Sequence, residues 1–144
     1  MAILKVARLG HPVLRRKAAP IPPDRIGSRE IQQLIDDMFE TMLEYGGIGL
    51  AAPQVHESVR LFVAGLHEGD VVSPMTDEVE MPFITVINPE VVPISRETET
   101  DWEGCLSIPD IRGQVPRPVA VRLRAFERRG EKFELVDRGL PARV

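Results

Sequence analysis

Two short segments carry the residue types that could do chemistry: Gly47-Ile48-Gly49-Leu50-Ala51-Ala52-Pro53-Gln54 and Glu103-Gly104-Cys105-Leu106-Ser107. Cys105 is the single cysteine, so no intramolecular disulfide can form and three roles stand open to the thiol. It is a buried structural residue, a nucleophile or a metal ligand. A thiol nucleophile needs a histidine base, and His11, His56 and His67 are the formal choices. None has a favourable setting: His11 lies in a proline-rich stretch and His67 opens a polar one. In the other segment Gly47 and Gly49 permit positive φ and let a ligand approach the backbone closely. Gln54 offers an amide N–H donor suited to a developing oxyanion. Gly47-x-Gly49-x-x-Ala52 also has the outline of a dinucleotide-binding fingerprint, which needs a strand before it and a helix after it. Here the order is reversed, so the match is read as accidental.

The elements that must position these segments follow from periodicity. Ile31, Leu34, Ile35, Met38, Phe39, Met42 and Leu43 recur on one face at helical spacing, with Ser28 as N-cap and Gly46-Gly47 as stop. Before this helix, Pro12, Pro20, Pro22 and Pro23 rule out another long one. After Gln54 the pattern changes to strands: Val59 to Leu66, Phe83 to Ile87 halted by Asn88-Pro89, and a short Val91 to Ile94. Residues 67–82 are polar and acidic and read as an exposed loop. Val119 to Ala125 alternates, and Arg129-Gly130 turns it into a partner run from Phe133 to Val136. Strands joined by hairpins rather than helices predict an α+β domain with antiparallel sheets and an N-terminal amphipathic helix.

Composition sets the bounds. A chain of 144 residues fits a single domain, residues 1–144, with 43% hydrophobic and 28% charged residues, ordinary for a soluble protein. A net charge of −4 gives no reason to expect nucleic acid or an acidic membrane as partner. The first twelve residues lack the apolar run of a signal peptide or a membrane span, and a lone cysteine fits a reducing compartment, so the expected location is the cytoplasm.

Taken together, the two segments resemble the first two of three signature motifs of the peptide deformylases: G-h-G-h-A-A-x-Q, with h apolar, and E-G-C-h-S. Every fixed position matches. Gly10-His11-Pro12-Val13-Leu14-Arg15 is similar to that family's N-terminal segment, Met38-Phe39-Glu40-Thr41-Met42 to its first helix, and Ile87-Asn88-Pro89 to its central strand. The resemblance implies metal-dependent hydrolysis of the formyl group from the N-formylmethionine of nascent proteins, at the ribosome. It implies that Cys105 is a thiolate ligand to the catalytic metal, ferrous iron, with zinc, nickel or cobalt able to take the same place. It makes Gln54 and the Leu106 backbone N–H the holders of the formyl oxygen. The backbone of Ile48 and Gly49 would pair with the extended substrate, apolar residues nearby would hold the methionine side chain, and Glu103 and Arg112 would support the site.

The third motif of that family, H-E-x-x-H, is absent. His56-Glu57 and His67-Glu68 lack the second histidine, because position 60 is arginine and position 71 valine. Residues 131–144 resemble the segment that leads into the helix bearing this motif, with Leu140 to Val144 as its first turn. The expectation is therefore a deformylase-like domain truncated at its C-terminus, without the central metal-binding helix, and, made alone, poorly soluble and inactive. Two alternatives stand beside it: a non-catalytic module that binds formyl-methionyl peptides or a partner through the 47–54 edge, and a cysteine-dependent hydrolase.

Overall fold

The computed structural model describes residues 2–66 and 81–144. Helix α1, Arg29–Glu44, begins where Ser28 Oγ accepts a hydrogen bond from the Ile31 N–H. It ends at Tyr45, followed by Gly46 at φ 65°, a conformation that glycine adopts without steric cost. Its inward stripe of Ile35, Met38 and Met42 is fully buried, each side chain contributing about 1.5–3 kcal/mol by leaving water. Leu43, expected on that stripe, is exposed, and Thr41 is buried instead. Burial of Thr41 is tolerated because its hydroxyl donates to Asp37 O and accepts from the Leu4 N–H.

Seven strands follow: β1 Gly49–Ala51, β2 Leu61–Ala64, β3 Ile84–Pro93, β4 Thr98–Cys105, β5 Ile108–Pro118, β6 Ala120–Phe126 and β7 Lys132–Arg138. They form two antiparallel sheets, one of five strands ordered β1-β2-β3-β6-β7 and one of the β4-β5 pair. A four-residue helix α2, Leu140–Arg143, ends the chain. The α+β class with antiparallel sheets is as the sequence predicts, including the β6-β7 hairpin.

Strand periodicity divides the packing. Leu61 and Val63 of β2 face α1, joining Leu50, Val55 and Ile87 in the main core, while Phe62 and Ala64 face a smaller cluster with Ile48, Leu66 and Met81, which α2 enters through Leu140. Two strands expected on either side of Asn88-Pro89 are one continuous strand, β3, with a shift of register between Ile87 and Glu90. Asn88 sits at φ 53° and spends its amide on Ile21, donating to its carbonyl at 2.7 Å and accepting from its N–H at 2.8 Å. The bulge is held by a specific side chain, so the strand bends rather than stops. The expected loop at 67–82 lies outside the described residues except for Met81 and Pro82, and Met81 is buried.

Candidate active site

The two segments singled out in the sequence belong to different sheets, and the N-terminal thread ties them together. Ala7 donates its N–H to Gln54 O at 2.6 Å, and Leu9 donates to Ser107 O at 2.8 Å. Gln54 closes a 3-10 turn, Ala52–Val55, immediately after β1. Its carbonyl oxygen Oε1 accepts the Ala51 N–H at 2.9 Å, which fixes the orientation of the amide. Nε2 then points across to the other sheet, donating to Ser107 Oγ at 3.1 Å and approaching Cys105 Sγ at 3.6 Å.

Cys105 ends β4, and Leu106-Ser107 make the tight turn into β5, with Cys105 opposite Ile108. The thiol is exposed, which removes the buried structural reading. Its polar contact among the described residues is Gln54, not a histidine. His11 and His56 instead face one another edge-on with ring centroids 4.7 Å apart, and His11 Nδ1 accepts from the Val13 N–H. No partner for the Leu106 N–H is found among the described residues. The Leu106 side chain turns inward against the main core.

The glycines of the first segment work by space, not by unusual φ. Neither Gly47 nor Gly49 is at positive φ, so the conformational freedom they permit is not used here. A Cβ on Gly47 would lie 2.8 Å from Leu106 Cδ1, and one on Gly49 would lie 2.9 Å from Val144 Cγ1. These two glycines therefore let the Cys105-Leu106 turn and the end of α2 close upon β1. β1 is also an edge strand, with no strand paired on its other side among the described residues. Ile48 O accepts the Gly65 N–H from the β2 side, so by alternation the Gly49 N–H and C=O face outward.

Glu103 lies within a cationic fork that sequence reasoning missed. Arg117 donates from Nε and Nη2 to the two carboxylate oxygens at 2.9 and 2.8 Å, and Arg143 Nη2 stands 3.5 Å from Oε1. The Arg117 hydrogen bonds hold the Glu103 carboxyl below the usual carboxylate range, against partial burial, which raises it. Arg112, expected with Glu103 to support the site, is opposite Gly104 on an exposed part of β5. No periodicity in β5 marks Arg117 as the partner, because the strand is exposed along most of its length.

The sequence profile of the polypeptide deformylases matches residues 3–144. The chain belongs to the polypeptide deformylase family. Peptide deformylase 2 of Pseudomonas putida is 40% identical over 142 residues, 99% of this chain and 78% of that protein. Among solved structures, the class I type b peptide deformylase of Acinetobacter baumannii with Met-Ala-Ser bound has a TM-score of 0.90 at 39% identity, covering 99% of this chain and 87% of that one. The peptide deformylase of Thermotoga maritima has a TM-score of 0.84 at 35% identity, covering 100% and 87%.

Peptide deformylases are metalloenzymes. In this deformylase-family chain, no three of His, Cys, Asp and Glu cluster to hold a metal among the described residues. A catalytic metal shell has three protein ligands. No helix among the described residues is long and apolar enough to cross a membrane.

Proposed function

We propose that this chain forms the formyl-recognition side of a peptide deformylase site and serves hydrolysis of the formyl group from N-formylmethionyl nascent chains, in the cytoplasm and at the ribosome. In this reading Cys105 is the thiolate ligand of the metal, ferrous iron, with zinc, nickel or cobalt as other occupants. The observation that carries the proposal is the orientation of Gln54. Its Oε1 is committed to Ala51, so Nε2 must present hydrogens toward the Cys105-Ser107 turn. A formyl oxygen arriving beside Cys105 would take its hydrogen bonds from Gln54 Nε2, held in place by the Ala51 bond, and from the Leu106 N–H of the adjoining turn. Fixed donors stabilise developing negative charge without reorganising, and removal of one from such a pair costs ~10²–10³ in rate.

The outward edge of β1 supports an extended peptide adding as a further strand through the Gly49 N–H and C=O, whereas Ile48, just before the strand, has its C=O on the Gly65 N–H and not on the peptide side. Arg112, exposed on β5, is a cation for the peptide beyond the methionine, and Glu103 braces the strand that carries Cys105. Apolar residues near the site, with Val144 resting over Gly49, would hold the methionine side chain.

The test is an NMR titration of the ¹⁵N-labelled protein with formyl-Met-Ala-Ser and with the same peptide unformylated. The formylated peptide should shift the Gln54 side-chain amide and the Leu106 N–H, and Gln54→Ala should weaken its binding roughly tenfold, the value of one well-placed hydrogen bond. Equal shifts from both peptides, or none at saturation, would refute the assignment.

A further inference from the structure

Arg143 is the most committed guanidinium in the described structure and no role above accounts for it. Its side chain is only 8% exposed. Nη1 donates to Glu99 O at 2.9 Å, and Nη2 donates to Val115 O at 2.8 Å and Asp101 O at 3.4 Å. Glu103 Oε1 balances its charge from 3.5 Å. One side chain from α2 therefore grips both strands of the β4-β5 hairpin. The next residue, Val144, rests on Gly49 of β1, where an added Cβ would come within 2.9 Å of Cγ1. Two consecutive residues thus touch the two halves of the site, which share no strand ladder.

We infer that Arg143 is a positioning residue: by clamping β4 and β5 to α2 while Val144 abuts β1, it sets where the Cys105-Leu106 turn stands relative to the Gln54 amide. The inference deepens the proposed reading, since it concerns the same pair of donors. The physical argument is geometric. A ladder fixes the hairpin internally but says nothing of its placement against the five-stranded sheet. At its base the hairpin continues from β3 and into β6, where Ile94 donates to Ala120 O and Val119 to Glu97 O. The placement of its far end, which carries the Cys105-Leu106 turn, is left to the N-terminal thread, the Gln54 and Leu106 contacts, and the Arg143-Val144 step. Arginine suits the task because its planar fork reaches several carbonyls at fixed angles, which a lysine ammonium on a flexible stem cannot do. Hydrogen bonds from a charged donor are also stronger than those of neutral pairs, so their removal costs more.

Residue-resolved hydrogen exchange of the full chain tests this without reading metal, peptide or turnover, so it stands or falls apart from the proposed function. The Leu9 N–H, bonded to Ser107 O, reports the position of the turn, and the Ala7 N–H, bonded to Gln54 O, reports the other half. In Arg143→Ala the Leu9 amide should exchange roughly tenfold faster, the effect of one lost charge-assisted bond on a local opening. The Gln54 side-chain amide resonances should shift, while Ala7 and the amides of β2 and β3 keep wild-type rates. Arg143→Lys should behave like Arg143→Ala. Arg143→Met keeps the apolar stem and is read in its place if the alanine variant does not fold. Unchanged Leu9 exchange and Gln54 resonances would overturn the inference. So would a rise spread uniformly over β2 and β3, or loss of fold in both variants, because each makes Arg143 a general stability residue. Full rescue by lysine would also overturn the part assigned to the fork.

Discussion

Gly47→Ala probes the closest packing between the two halves of the site. The new Cβ would lie 2.8 Å from Leu106 Cδ1 and 3.4 Å from Cγ, where carbon atoms prefer ~3.5–4.0 Å. Overpacking of this kind costs about 1–3 kcal/mol. Against it stands a gain of about 0.4–1 kcal/mol from the stiffer unfolded chain, available because Gly47 is not at positive φ. The net expectation is a loss of about 1 kcal/mol, or a fall in Tm of ~3 °C for a domain of this size. In a Leu106→Ala background the opposing atoms are gone, and the same glycine substitution should stabilise by about 0.5 kcal/mol. The sign reverses, with a coupling of about 1.5 kcal/mol in the double-mutant cycle. Urea unfolding of the four proteins, with m-values checked for constancy, measures it. If Gly47→Ala costs the same with and without the Leu106 side chain, the glycine is not there to admit Leu106, and the space argument for the first segment fails.

Further outcomes follow from other contacts. Asn88→Ala leaves the Ile21 N–H and C=O unpaired and puts alanine at φ 53°, so it should cost about 3 kcal/mol by chemical denaturation. Asn88→Asp retains the acceptor and should lose about half as much. Glu103, held below its ordinary range chiefly by Arg117, makes stability depend on acid. Its contribution is fully present above the unfolded carboxylate pKa of about 4.3 and is lost as pH falls through the lower folded value. Glu103→Gln should therefore flatten the pH dependence of Tm below about pH 4.5, and an unchanged slope would contradict the pairing. Val91, Val92 and Val136 are each more than half exposed on β3 and β7, and this apolar surface should make the purified chain self-associate at high concentration, as sedimentation would show.

What was legible in the sequence was whatever repeats with a period. Helix α1 declares itself because one face is buried and the other is not, and the β6-β7 hairpin because β7 alternates between half-buried and exposed residues. Gln54 and Cys105 could be picked out by residue type and by the motifs around them. The β4-β5 hairpin carries no such signal. Thr98–Cys105 is exposed at nearly every position, so no alternation of apolar and polar residues records its pleat. The continuity of β3 was hidden by Asn88-Pro89, which reads as a strand terminator unless one knows that Ile21 holds the bulge. Arg117 and Arg143 were invisible for a similar reason. Their partners are a carboxylate 14 residues away for one and backbone carbonyls for the other, and neither leaves a local pattern.

The thread from Ala7 to Leu9 also bears on how the protein reaches its native state. Its bond to Gln54 closes a loop of moderate length, while its bond to Ser107 encloses about a hundred residues, and the entropy of closure must be met before the second bond returns anything. Contacts of such long separation slow folding and form late. Each sheet can complete its own ladder first, so the juxtaposition of Gln54 and Cys105 is an event of the last stage. Substitutions in the thread should therefore speed unfolding while leaving the folding rate nearly unchanged, the signature of low φ-values.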